Sequence, residues 1–181
     1  MTIRRADWRF MGLHPLRLMA LGFGSGLSPI APGTAGTLAG WVLYLVIEAL
    51  FSPSRLAWGG LIGAGLLLGW WACTHTARAL RVCDPSPVVW DEIIAFWIIL
   101  WFIMPIGLMG QACAFVLFRL FDAIKRGPVG WADACFKAAP GALPGWAQGF
   151  GIIFDDLVAA LCTLAVFAAG QWGWMAWQVR T

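Results

Sequence analysis

The longest apolar stretch of the chain, residues 93–121, reads IIAFWIILWFIMPIGLMGQACAFVLFRLF and contains one charged side chain, Arg119. It is too long for one straight membrane-spanning helix, which needs roughly 20 residues, and too short for two full spans. Pro105 and Gly107 lie near its middle, where proline removes a helical hydrogen bond and crowds the preceding turn. The stretch therefore predicts a hairpin of two short helices, residues 93–104 and 108–121, each about 20 Å long.

The composition is that of a polytopic membrane protein. Of the 181 residues, 61% are hydrophobic and 12% are charged, whereas a soluble domain is about half apolar and about a quarter charged. Three further stretches, residues 38–51, 57–74 and 152–174, are long and almost free of charge. With the hairpin they predict a single all-α domain, residues 1–181: an integral membrane helical bundle of about four to five membrane helices.

Composition also excludes several classes of protein. So apolar a chain is neither disordered nor a coiled coil, and five cysteines without a paired spacing do not form a disulfide framework. The net charge of +3 is too small to suggest nucleic-acid binding, and the chain has no basic-aromatic platform for single strands. We therefore expect no nucleic-acid partner.

The charges predict which side of the membrane each loop occupies. Residues 1–20 form a basic segment with four arginines, and Trp8 and Phe10 suit it to lie at a membrane surface. If the N-terminus is cytoplasmic and the chain crosses at each stretch, ten of the twelve basic residues fall on the cytoplasmic side, all but Arg55 and Arg180. This positive-inside bias depends on the hairpin, because a single long helix would move the following basic residues to the opposite side.

Five carboxylates from three segments fall on this same side. Asp91 and Glu92 begin the hairpin, Asp122 ends it, and Asp155 and Asp156 open the fourth span. Acidic side chains at the ends of membrane helices are costly in free energy unless they are paired, hydrated or bound to a cation. Mg²⁺ binds carboxylates together with substrate phosphate and water. The pattern favours a Mg²⁺ site, although the helix macrodipole alone also favours an acid near a helix N-terminus.

A glycine-rich stretch precedes the first span. Residues 21–38 read LGFGSGLSPIAPGTAGTL, whose five Gly, two Pro and four hydroxyl residues argue against a helix interior. The stretch predicts a loop followed by a helix N-terminus that Thr34 or Thr37 caps, and such a terminus can bind an anion. A simple membrane-entry loop is the alternative. The stretch is neither a Walker A loop nor a dinucleotide fingerprint.

Four blocks of the sequence resemble those of the bacterial phosphatidylglycerophosphatase A family, in order and at similar spacing. The resemblance covers about residues 18–162. It implies an integral inner-membrane, Mg²⁺-dependent phosphatase that removes the terminal phosphate of phosphatidylglycerophosphate, a phospholipid, to give phosphatidylglycerol. The blocks are GSGLSPIAPGTAGTL at 24–38, VWDEI at 89–93, FRLFDAIKR at 118–126 and GIIFDDLVAA at 151–160.

The resemblance also implies roles for individual residues at a site that faces the cytoplasm. The catalytic residues, which would hold one or two Mg²⁺, are Asp91, Glu92, Asp122, Asp155 and Asp156. The residues expected to bind the substrate phosphate are Ser25, Ser28, Thr34, Arg119 and Lys125.

The sequence departs from the family pattern at a few positions. The family's DExxG ends in Ala95 and its DDxxAG ends in Ala160, both of them small residues exchanged for small ones. Lys-Pro-x-Pro reads Lys-Arg-Gly-Pro at residues 125–128, and the loop between Asp133 and Asp155 is longer than the family's.

Other functions compete with this interpretation. A lipid phosphotransferase that uses a CDP-lipid would carry DGxxAR followed by GxxxDxxxD, and neither pattern is present. A small membrane cation transporter or channel that uses the acidic cluster would place its site near the bilayer midplane, whereas these acids cluster at one face and only Glu48 lies deeper. A non-catalytic scaffold would not need this concentration of acids.

Overall fold

The computed structural model describes residues 6–138 and 142–178, and the regular elements within them are helices. Short elements come first and between the long ones, and they lie outside the predicted spans. In chain order the elements are α1 (Trp8–Gly12), α2 (Pro15–Ala20), a 3₁₀ segment (Gly22–Leu27), α3 (Pro32–Phe51), α4 (Arg55–Leu80), α5 (Trp90–Ile103), α6 (Leu108–Ile124), α7 (Pro128–Cys135) and α8 (Trp146–Gln178).

Three of the described helices are long and apolar enough to cross a membrane. They are α3, α4 and the part of α8 within Trp146–Met175, with 20, 26 and 30 residues. The predicted hairpin is confirmed, because α5 ends at Ile103 and α6 begins at Leu108, on either side of Pro105 and Gly107. With 14 and 17 residues, α5 and α6 are shorter than a straight span requires.

Helix α5 lies at the centre of the bundle. It packs against α3, α4 and α8, and all its residues from 93 to 100 except Ile98 are buried. Phe96 is fully buried and contacts Phe115 and Phe118 of α6 through ring centroids 5.8 and 6.1 Å away. The neighbouring helices thus shield α5 from residue 93 to residue 100, whereas Phe102 near its end is exposed.

Small residues let α3 approach α5 closely. A Cβ atom at Gly36 would overlap the side chain of Val89, and one at Gly40 would press on the backbone of Ile93. The indole N–H of Trp97 donates to the Gly40 carbonyl at 2.8 Å. This close packing brings the first turn of α3 against the first turn of α5.

The start of α3 corrects one prediction. The loop expected to end at Thr34 or Thr37 ends earlier, because α3 begins at Pro32 after Ala31, whose φ is 47°. Thr34 and Thr37 therefore lie inside the helix and do not cap it, and the Thr37 hydroxyl donates to the Gly33 carbonyl at 2.9 Å. Proline suits the first helical position, and the glycines allow the contact with α5 that stabilises this turn.

The N-terminal helices cover one end of the bundle. Helix α2 packs on α4, and Phe10 is buried in a small cluster with Met11, Leu21 and Leu80. Phe10 is therefore a packing residue and not the predicted surface anchor, whereas Trp8 is exposed. Arg4 and Arg5 of the predicted basic segment lie outside the described residues.

Candidate active site

The five predicted carboxylates line one cavity of about 270 Å³ at this same end of the bundle. The start of α3, the turn before α5, the start of α5, the end of α6 and the tenth and eleventh residues of α8 form its walls. We call it the polar cavity. The side chains that the argument below uses are Asp84, Ser86, Asp91, Glu92, Arg119, Asp122, Lys125, Asp155 and Asp156.

Three of the carboxylates converge on one point, and we call Asp91, Glu92 and Asp156 the carboxylate trio. One oxygen from each lies within 4.8 Å of the others. Oδ1 of Asp91, Oε2 of Glu92 and Oδ2 of Asp156 are buried and have no hydrogen-bond partner among the described residues. Buried like charges without partners are costly unless a cation binds them, so the trio has the oxygen donors that a divalent cation such as Mg²⁺ requires.

The other two carboxylates form ion pairs. Nη1 of Arg119 lies 2.5 Å from Oδ2 of Asp122 and 3.8 Å from Oε1 of Glu92. Nζ of Lys125 lies 2.6 Å from Oδ2 of Asp155. The five predicted ligands are therefore of two kinds in this geometry: three with free oxygens and two that hold basic side chains at the cavity wall.

Local helix geometry explains how neighbouring acids take different positions. Successive residues of a helix point about 100° apart, so Asp156 faces the trio while Asp155 faces Lys125. Asp91 and Glu92 are consecutive residues, but both side chains belong to the trio because they occupy the first turn of α5, which lines the cavity.

Lys125 keeps its charge in this setting. Burial alone would lower the pKa of Lys125, but its hydrogen bonds to Asp155 and Asp133 and the charge of Asp155 raise the pKa above the ordinary value. Burial would raise the pKa of Asp133, but hydrogen bonds from Lys137 and Lys125 lower it below its usual range. An ammonium group therefore stands at the cavity wall throughout the neutral pH range.

The predicted phosphate-binding residues divide into two groups. Arg119 and Lys125 line the polar cavity, whereas Ser25, Ser28 and Thr34 do not. The Ser25 hydroxyl donates to the Gly22 carbonyl and the Ser28 hydroxyl donates to the Ile30 carbonyl, both at 2.8 Å. This geometry does not support a phosphate cradle built from these hydroxyls.

Three residues of the predicted loop line the polar cavity: Ala31, Pro32 and Gly33. Gly33 lines it, and a Cβ atom there would overlap Oε1 of Glu92 and the guanidinium of Arg119. The first turn of α3 therefore leaves room for these two side chains.

Comparison with known proteins shows which family the chain resembles. The model of the family described as phosphatidylglycerophosphatase A matches residues 18–171. The chain belongs to the phosphatidylglycerophosphatase A family. The blocks quoted above lie inside the matched region, so the resemblance inferred from them is confirmed, as is the prediction of an enzyme.

Individual relatives cover most of the chain. A phosphatidylglycerophosphatase A from Haemophilus influenzae is 36% identical over 163 residues, 88% of this chain and 91% of that protein. One from Escherichia coli is 34% identical over 161 residues, 88% of this chain and 86% of that protein. A Bacteroides thetaiotaomicron protein, provisionally named a phosphatidylinositol-3-phosphatase, is 31% identical over 170 residues, 86% of this chain and 92% of that protein. No solved structure shows a significant match to the chain.

Two polar side chains of the cavity in this family member were not among the predicted site residues. Asp84 and Ser86 line the polar cavity from the turn that precedes α5. The sequence Asp-Pro-Ser-Pro at residues 84–87 indicates a turn that ends five residues before Glu92. This closeness to the predicted acids is the signal that could have assigned the turn to the site.

The remaining membrane-embedded acid has a structural partner. Oε2 of Glu48 accepts a hydrogen bond from the indole N–H of Trp58 at 2.7 Å. Glu48 lies near the opposite end of α3 from the polar cavity. This bond joins α3 to α4 and gives a structural role to the one acid that the sequence places deeper than the acidic cluster.

Proposed function

We propose that the chain is a Mg²⁺-dependent phosphatase that hydrolyses phosphatidylglycerophosphate to phosphatidylglycerol and phosphate at the cytoplasmic face of the inner membrane. The observation that carries the proposal is the carboxylate trio, with its free oxygens, beside Arg119 and Lys125. Membership of the family and the names of the Haemophilus and Escherichia relatives support this substrate.

The trio would hold the metal, and the two ion-paired acids would position the basic side chains. Bound Mg²⁺ would polarise a phosphoryl oxygen and make a water molecule more acidic. Asp122 orients Arg119, and Asp155 orients Lys125, so that each cation points into the polar cavity. This assignment gives Asp122 and Asp155 a positioning role in place of the ligand role that the sequence suggested.

The reaction is the hydrolysis of a phosphate monoester. The oxygen of a water molecule bonds to phosphorus as the water gives up a proton, the bond from phosphorus to the glycerol oxygen breaks, and that oxygen takes up a proton. Negative charge on the phosphoryl oxygens must be stabilised throughout the reaction. Stabilising this charge is usually the largest contribution that an active site makes to the reaction rate. Arg119 has five N–H donors, so its guanidinium can remain bound to Asp122 and still donate to the phosphate.

The distribution of basic residues supports the cytoplasmic orientation. Among the described residues, every Lys and Arg except Arg55 lies at or near the helix ends that bear the polar cavity. Basic residues accumulate on the cytoplasmic side of bacterial membrane proteins. The phosphate ester would therefore be hydrolysed where its polar head group meets the cytoplasm.

Phosphate release by the purified protein in detergent tests the proposal. We expect release from phosphatidylglycerophosphate with Mg²⁺, none with EDTA, and a loss of at least about 100-fold in Asp156→Asn. Asp7→Asn is the matched control, because Asp7 caps α1 outside the polar cavity and asparagine can cap equally well.

Two results would count against the proposal. Release that persists in EDTA would refute the metal requirement. Faster hydrolysis of phosphatidylinositol 3-phosphate than of phosphatidylglycerophosphate would replace the substrate with the one that the name of the Bacteroides relative indicates.

A further inference from the structure

A second, apolar depression lies beside the polar cavity. It has a volume of about 760 Å³ and runs between the 3₁₀ segment and one face of α3. None of the described residues that line it is charged. We call it the apolar groove.

The groove follows the lipid-facing side of a candidate span. Leu38, Val42 and Val46 line it at intervals of four residues, which places them on one face of α3, and all three are exposed. From Ala35 to Val46 the groove follows α3 for about 16 Å. Its length and its apolar walls suit a hydrocarbon chain that enters from the bilayer.

The groove and the polar cavity have no lining residue in common among those described, but their walls adjoin along the chain at two points. On α5, Glu92 lines the polar cavity and the next residue, Ile93, lines the groove. On α3, Gly33 lines the polar cavity and Ala35 lines the groove. The walls of the two thus lie one or two residues apart on the same helices, and a lipid with a phosphate at one end and a hydrocarbon chain at the other is long enough to reach from one to the other.

An unusual backbone conformation lies where the groove begins. Phe23 has a φ of 55°, a left-handed value that is rare for a residue other than glycine, and its ring is exposed. Phe23 lines the groove, and its ring lies edge to face with that of Trp90, the residue before Asp91 of the trio, with 6.2 Å between the ring centroids. Such strain persists where the surrounding structure holds a side chain in a required place.

We propose that the apolar groove binds an acyl chain of the lipid substrate and so fixes the position of the phosphate at the carboxylate trio. The proposal rests on the proposed function and adds the part of the substrate that the groove receives. Bilayer and groove are similarly apolar, so transfer of the chain contributes little affinity. The groove acts by orientation, because a tethered phosphate samples fewer positions than a free one.

A bulky side chain in the groove tests this role. We compare Val42→Trp with Val116→Trp, which makes the same change at an exposed position of α6 outside the groove. For each protein in mixed micelles we measure kcat/KM with dioleoyl and with dihexanoyl phosphatidylglycerophosphate. The ratio of the two values, long chain to short, reports on the groove independently of the chemistry at the trio.

Val42→Trp is expected to lower this ratio about tenfold, and Val116→Trp is expected to leave it at the wild-type value. Val46→Trp provides a second groove variant if Val42→Trp does not fold. If a folded and active groove variant kept the wild-type ratio, the proposal that the groove binds an acyl chain would be overturned while the proposed function stands. A wild type that releases no phosphate from either lipid would overturn the proposed function, and the groove proposal with it.

Discussion

Nζ of Lys125 lies 2.6 Å from Oδ2 of Asp155, and this ion pair joins the end of α6 to α8. The same ammonium group lies 2.9 Å from Oδ1 of Asp133 in α7. Asp155 precedes Asp156 of the carboxylate trio, so the ion pair to Lys125 and the turn of Asp156 toward Asp91 and Glu92 belong to the same rotation of α8.

Removal of the Lys125 charge should destabilise the protein. Lys125→Met leaves Asp155, which is 7% exposed, without its cation, so we expect the free energy of unfolding to fall by about 1–2 kcal/mol. The lower end of that range reflects the partial exposure of Lys125. Unfolding in detergent, followed by circular dichroism, measures the change.

Lys137→Met is the matched control for this prediction. Lys137 also pairs with Asp133, but its side chain is 70% exposed. Exposed ion pairs contribute little, so the cost should stay below about 1 kcal/mol. Equal losses in the two variants would show that the buried pair has no special role.

The glycine contact between α3 and α5 should not tolerate a methyl group. Gly36→Ala would force its Cβ into Val89, which is fully buried and cannot move aside. We expect a loss of about 1–3 kcal/mol in the free energy of unfolding.

Gly60→Ala provides the opposite case in α4. A Cβ atom at Gly60 meets no other atom within 4 Å. Alanine favours a helix over glycine by about 0.5–1 kcal/mol, so this variant should be as stable as the wild type or more so. If Gly36→Ala proved equally harmless, the close approach of α3 to α5 would be wrong.

The planar guanidinium of Arg119 should matter beyond its charge. It lies between Asp122 and Glu92 and must also donate to the phosphate. Arg119→Lys keeps the charge but loses the fork of donors, so we expect kcat to fall about 10–100-fold with little change in stability.

Steady-state kinetics that separate kcat from KM measure this effect. Arg78→Lys is the control, because Arg78 donates to the Pro144 carbonyl outside the polar cavity. A wild-type kcat in Arg119→Lys would remove Arg119 from the chemistry.

Much of the fold could be predicted from local chemistry. Pro105 and Gly107 break an apolar run at the position where α5 and α6 separate, because proline removes a helical hydrogen bond and crowds the preceding turn. The start of α3 could not be predicted in this way. The stretch around Gly33 and Gly36 has poor helix propensity, and its helix is stabilised by packing against α5, which is a tertiary effect.

The candidate site was predictable as a group of residues but not in its internal arrangement. The return of the hairpin brings Asp122 back to Asp91 and Glu92, which explains three of the five acids in the cavity, and α8 adds Asp155 and Asp156 from the same side. Their division into the trio and two ion pairs depends on how α6, α7 and α8 are rotated against one another. Nothing in the local sequence fixes that rotation, so it could not be predicted that Lys125 would reach Asp155.

Binding of a divalent cation to the purified protein tests the central claim most directly. Mn²⁺, which prefers oxygen ligands as Mg²⁺ does, can be titrated in detergent and its free fraction measured by electron paramagnetic resonance. We predict that the protein binds Mn²⁺ at a site from which Mg²⁺ displaces it. The affinity for Mn²⁺ should be unchanged in Asp7→Asn and weakened at least about tenfold in Asp156→Asn. Equal Mn²⁺ binding by the wild type and by folded Asp156→Asn would contradict the assignment of the carboxylate trio as the metal site.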